Sequence, residues 1–155
     1  MRPIVLYSTR SGNTKKIADE IALELNCEAV RISQSNSTPN IDLNNYDLIF
    51  IGTGIQAGNP NEHMISYLKT IDIKEPKSFA IFVTWGGAGK TDQMVINQLQ
   101  KILKSKGQKI IENCYTCYGG WHLLRRGHPN SEDAKTARKW AQKTATTNAT
   151  KAEST

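Results

Sequence analysis

The sequence predicts a doubly wound α/β domain, a parallel sheet with helices packed on both faces. Three observations lead there. Short apolar runs and amphipathic stretches alternate five times along the chain. The apolar runs are continuous rather than alternating, the pattern of strands buried on both faces. Three of those runs end in clusters of Gly, Ser, Thr and Asn, at the carboxyl ends of strands, where such sheets bind their ligands.

The elements follow in order. PIVLYS (3–8) is the first strand. From Asn13, apolar residues recur at Ile17, Ala18, Ile21, Ala22 and Leu25, which is helical spacing. EAVRI (28–32) makes a second strand, and the polar stretch 33–45 is a linker rich in turn residues. DLIFIG (47–52) is a buried strand, and the helical NEHMISYLKTI comes after a short loop. SFAIFVTW (78–85), a helix over 90–107 stopped by Gly107, and KIIENCYTCYGG (109–120) complete the sheet. The last helix, SEDAKTARKWAQK, opens behind Pro129 and Asn130 with acids in its first turn, where the helix dipole favours them. The domain is expected over 1–144. Residues 145–155, polar and without periodicity, are expected to form a disordered tail.

A chain of 155 residues carries one domain with a full core. No apolar run approaches the roughly 20 residues needed to span a bilayer, and the N-terminus reads as a strand rather than a secretory signal. Cytoplasmic residence is the expectation. The net charge is +6, but Lys and Arg are spread along the chain without a zinc-finger or RNA-binding signature. That pattern argues against nucleic acid and for a basic surface that recruits acidic partners. Cys27, Cys114 and Cys117 make an odd count, which opposes a disulfide framework. Cys114 and Cys117 have redox-pair spacing, but on a strand they point to opposite faces.

TWGGAGKT (84–91) invites comparison with an ATP phosphate loop. Such a loop needs glycine five positions before its Gly-Lys-Thr, and Thr84 stands there. Its glycines must serve another purpose. The richer phosphate signal lies at the end of the first strand, where Thr9-Arg10-Ser11-Gly12-Asn13-Thr14 runs into a helix. Its hydroxyls, successive backbone amides and the helix dipole can cradle a phosphate. Gly12 permits close backbone approach. The competing reading is an ordinary helix start capped by Ser11 or Asn13.

The run STRSGNT resembles the FMN-phosphate loop of flavodoxins, commonly [ST]-x-[ST]-G-N-T, in its expected place. The ending GHPNSEDAKTARKWA is also similar to that of short-chain members. The resemblance covers about 140 residues and implies a five-stranded parallel sheet of order 2-1-3-4-5. It implies FMN as cofactor, with Thr9, Arg10, Ser11, Gly12, Asn13 and Thr14 at the phosphate. Arg10 departs from the uncharged residue usual there; contact with the phosphate and a solvent-facing position are both open. The loop of Thr53, Gly54, Ile55, Gln56, Ala57 and Gly58 falls where flavodoxins hold one side of the flavin ring and its N5 edge. Thr84, Trp85, Gly86, Gly87, Ala88 and Gly89 fall where they hold the other. Lys90 and Thr91 then simply begin a helix.

Trp85 is the first candidate to cover the ring, with packing over the sheet edge as its alternative; Tyr118 and Trp121 are further ones. The loop 54–60 has no aromatic, so Ile55 would cover that face. His63, His122 and His128 read as surface or capping residues. The resemblance implies one-electron transfer between soluble redox partners, acidic ones here, ferredoxin-like proteins or a reductase. A carbonyl of Ala57 or Gly58 would accept a hydrogen bond from N5–H of the half-reduced flavin. A basic chain should oppose formation of the anionic reduced flavin less than an acidic relative does. Two other readings stay open: an FMN-dependent oxidoreductase similar to the quinone-linked protoporphyrinogen oxidases, whose late insertion is missing here, and a flavin-free phosphate-binding module.

Overall fold

The computed structural model describes residues 1–34, 39–120 and 123–154. β1 (Pro3–Ser8) pairs in parallel with β2 (Ala29–Arg31) on one side and β3 (Leu48–Gln56) on the other. β5 (Ser78–Trp85) extends the sheet beyond β3, again in parallel. Because side chains alternate along a strand, each strand feeds two layers. Ile4 and Leu6 enter one core, and Val5 and Tyr7 enter the other.

Helices α1 (Asn13–Leu25) and α4 (Ser131–Glu153) cover the layer that holds Val5. Helices α2 (Glu62–Thr70) and α3 (Thr91–Ser105) cover the opposite one. The predicted positions of α1, Ile17, Ala18, Ile21 and Ala22, are its buried face. Phe50, Phe79 and Phe82 are fully buried, and burial of such a side chain contributes about 1.5–3 kcal/mol. Gly107 follows α3 with φ +72°, the left-handed stop its residue type suggested.

The structure departs from the expected elements in four places. The fifth strand is broken into β6 (Lys109–Ile110) and β7 (Tyr115–Tyr118), both parallel to β5. The spatial order of the five strand positions remains 2-1-3-4-5. The break falls where Glu112 and Asn113 turn outward, and the Asn113 carbonyl accepts from Trp140 Nε1 at 2.8 Å rather than from a strand. Second, β3 runs to Gln56, where it folds back through an antiparallel pairing with β4 (Asn59–Pro60). Third, the polar linker holds a short 3-10 turn, Leu43–Asn45, whose Leu43 is buried. Fourth, α4 continues to Glu153, so the stretch from 145 to 153 is helical and not an irregular tail. Its buried stripe is Ala137, Trp140, Ala141, Thr144 and Ala145, and past Lys143 it holds only Thr144 and Ala145. Side chains this small leave a weak periodic signal in the sequence.

Cys114, just before β7, and Cys117, on β7, go to opposite sides. Cys114 packs against the α2/α3 layer and Cys117 lies in the α1/α4 layer. All three cysteines are free thiols, and burial pushes Cys117 up to about 12.

Candidate functional site

The carboxyl ends of β1, β3, β5 and β7 lie side by side, and hydrogen bonds join the segments that follow β1, β5 and β7. After β1, Thr9 Oγ1 accepts the Gly12 N–H at 2.9 Å, which curls the loop back on itself. Gly12 has φ +89°, a left-handed conformation that strains an L side chain. It is the N-cap of α1, and no side chain caps that helix. Ser11 is exposed, and Asn13 reaches away to donate from Nδ2 to the Gly120 carbonyl at 2.9 Å. Thr14 Oγ1 lies 2.9 Å from Thr84 Oγ1 and ties the start of α1 to the end of β5. The ordinary capped start is therefore not what these residues build. Ser8 Oγ, at the foot of the loop, is buried without a hydrogen-bond partner among the described residues.

Towards the end of β3, Thr53 Oγ1 accepts the Asn61 N–H at 2.8 Å and donates to the Gly54 carbonyl at 2.9 Å. A Cβ on Gly54 would sit 3.4 Å from Thr14 Oγ1 and 3.7 Å from Thr84 Oγ1, so the three strand ends pinch together there. Ala57 and Gly58 form the two-residue turn between Gln56 and its partner Asn59, with φ +48° and +76°. Positive φ at both central residues marks a type I′ hairpin turn. Asn59 Nδ2 donates to the Ala57 carbonyl at 3.0 Å. Asn61 Oδ1 caps α2 by accepting the His63 N–H at 3.0 Å. Ile55 packs against the α2/α3 core, while Gln56 and Ala57 are exposed.

After β5, Trp85 is half-buried against the same core, and its ring lies 6.0 Å from that of Tyr118 at an interplanar angle of 31°. Gly86, Ala88 and Gly89 are exposed, whereas Gly87, at φ +83°, is half-buried. Lys90 and Thr91 open α3, as the failed phosphate-loop motif implied. The loop after β7 closes against this one: Gly119 N–H donates to the Trp85 carbonyl at 2.9 Å, and Gly120 N–H to that of His128 at 2.8 Å.

Several members of the site carry no sequence signal that singles them out. Arg31 Nη2 donates to the Thr9 carbonyl at 3.1 Å and so braces the first loop from β2. Arg10 is exposed, and with Arg31 and His63 it lines a cavity of about 300 Å³ beside that loop. Arg125 stacks on Tyr118 with its guanidinium carbon 4.0 Å from the ring centroid. His128 Nδ1 lies 2.6 Å from Asp133 Oδ2, in the α4 capping box, in keeping with a capping role. The Gly119-Gly120 doublet allows the close approach here, where a Cβ on Gly119 would meet Asn13 Nδ2 at 2.9 Å. Trp121 and His122 lie outside the described residues.

The donor set suits a dianionic phosphate monoester: an open helix N-terminus, threonine hydroxyls and an orphaned buried serine, on a loop that a side chain at Gly12 would strain. A parallel sheet of this order, with its strand-end loops gathered at one edge, defines the flavodoxin-like class of doubly wound α/β domain. The flavodoxin domain model matches residues 4–123, and the chain belongs to that family. An uncharacterized protein, MJ0298 of Methanocaldococcus jannaschii, is 37% identical over 92% of this chain and 97% of its own. The flavodoxin-like domain-containing protein BilS of Clostridioides difficile is 31% identical over 77% of this chain and 66% of its own. Among solved structures, a flavodoxin, WrbA-like protein from Agrobacterium tumefaciens superposes with a TM-score of 0.79. It is 15% identical, over 96% of this chain and 98% of its own.

Proposed function

We propose that the chain binds FMN and passes single electrons between soluble redox proteins. One observation carries the reading: α1 begins at a left-handed glycine with no side chain on its first-turn amides, inside a ring of hydroxyls. Thr9 shapes that loop through the Gly12 amide, and Arg31 holds it from behind. Ser11 and Thr14 would supply hydroxyls to the phosphate, and Asn13 fixes the loop against Gly120. The hairpin at Ala57-Gly58 and the loop from Thr84 to Gly89 would grip the two sides of the ring. When bound, FMN supplies the redox chemistry, and the protein binds, orients and tunes it.

Partners of acidic surface fit the charge of +6 and the exposed Arg10, Arg125 and Arg126 beside these loops. Association with them should weaken as salt rises. Among the described residues no helix is long and apolar enough to cross a membrane. Three free thiols suit a reducing compartment, and we place the protein in the cytoplasm on that ground.

The test is a titration of the purified protein with FMN and with riboflavin, followed by stepwise reduction in the visible range. FMN should bind at least a hundredfold more tightly than riboflavin, because the loop is built for the phosphate. Equal affinity for the two would defeat the reading.

A further inference from the structure

The loop between β7 and α4 holds Arg125 more tightly than recruitment of an acidic partner by an exposed cation requires. Arg125 has φ +52°, a left-handed backbone conformation uncommon for any residue but glycine. Its backbone is locked there. The Arg125 carbonyl accepts the His128 N–H at 3.1 Å, and the His128 carbonyl in turn accepts the Gly120 N–H at 2.8 Å. A Cβ on Gly120 would approach the Arg125 carbonyl oxygen to 2.8 Å, so the loop closes this tightly only over a glycine.

The side chain is placed as definitely as the backbone. Its guanidinium lies over the Tyr118 ring at 4.0 Å from the centroid, well within cation–π range. Tyr118 is itself held between Trp85 and His128, whose ring meets it edge-on at 5.7 Å. A Cβ on Gly87 would stand 3.1 Å from Arg125 Nη2 and 2.9 Å from Tyr118 Cε1. The cation therefore rests against the backbone of the loop that, in the FMN reading, holds one side of the ring. Backbone strain of this kind persists where surrounding contacts over-determine it, and it gathers at functional sites.

We propose that Arg125 is a potential-setting residue: a fixed positive charge, laid on Tyr118 against Gly87, that favours the anionic, fully reduced flavin over the half-reduced one. The proposal rests on the FMN reading. It localises in one side chain what the net charge of the chain suggests only diffusely. Arg125 does not itself react; it acts through its field, which exposure to solvent makes dependent on salt.

The experiment is a redox titration of the FMN-loaded protein and of Arg125→Gln, Arg125→Lys and Arg126→Gln, at low and high salt. For Arg125→Gln the affinity for fully reduced over half-reduced FMN should fall about tenfold, which lowers the second one-electron couple by about 59 mV. Arg125→Lys, which keeps the charge, should recover most of the difference, and Arg126→Gln should cause a much smaller shift. High salt should shrink the gap. Should Arg125→Gln not fold, Arg125→Met, which keeps a stem to pack on Tyr118, carries the same expectation. An unchanged couple, an equal shift in Arg126→Gln, or a Lys variant as low as the Gln variant would each overturn the proposal. So would an Arg125 variant that folds but no longer holds FMN, since the residue would then be one for binding. A wild-type chain that takes up no FMN would remove the cofactor reading itself, a separate result.

Discussion

Helices α1 and α4 pack together over one face of the sheet, yet they begin in opposite ways. α4 closes its own first turn: Asn130 Oδ1 accepts the Asp133 N–H at 2.9 Å, and Asp133 Oδ2 accepts that of Asn130 at 2.8 Å. Two amides that would otherwise lack partners are satisfied by the sequence itself. α1 has Ser11 and Asn13 within reach of the same job, and neither does it. Asn13 reaches to the Gly120 carbonyl and Thr14 lies beside the Thr84 hydroxyl, while a left-handed glycine takes the capping position. A helix start that serves the fold satisfies its own amides. One that serves a ligand keeps them available and uses its polar side chains to hold the surrounding loops.

The contrast is open to attack at both ends. The largest effect is expected at Gly12. Gly12→Val places a β-branched residue at φ +89°, which costs roughly 1–2 kcal/mol of strain. The loop should relax away from its shape, and FMN affinity should fall at least a hundredfold in a fluorescence titration. At the other helix, Asn130→Ala should cost about 1 kcal/mol in urea unfolding, the usual loss for an N-cap. FMN affinity should stay within about twofold. If the Asn130 variant loses FMN while the Gly12 variant keeps it, the division of labour between the two helix starts is wrong.

The smallest effect concerns the far end of α1. Cys27 packs there against the α1/α4 core, and burial pushes its thiol up to about 11 from an ordinary 9.0. The unfolded chain gives up that proton first, near pH 9. The contribution to stability is therefore complete below pH 9 and is lost as the pH rises towards 11. Cys27→Ala should flatten part of the decline in stability across that window, measured by chemical unfolding, and leave FMN affinity unchanged. A profile as steep as that of the parent would place the slope elsewhere, with Cys117 the next thiol to consider.

Some of the site was legible in the sequence because its chemistry is contiguous. Thr9 to Thr14 follow directly from β1, while Thr53 to Gly58 and Thr84 to Gly89 begin on the last residues of β3 and β5, just past their apolar runs. Arg31 and Arg125 were not legible. Arg31 sits on a three-residue edge strand and serves a loop from its neighbour. Arg125 lies in a turn-rich connection where no periodicity says which way a side chain points.

The order of elements, the two-sided core and the position of the three polar strand-end segments were determined by the sequence alone. Those properties depend on periods of two and 3.6 residues, which any short window carries. Only the tertiary structure decided that the fifth strand breaks at Asn113, that α4 stays helical past Lys143, and that Gly120, Gly87 and Tyr118 hold an arginine in place. Each of those outcomes depends on what packs against a segment from far along the chain. Local propensity is weak enough for such contacts to override it.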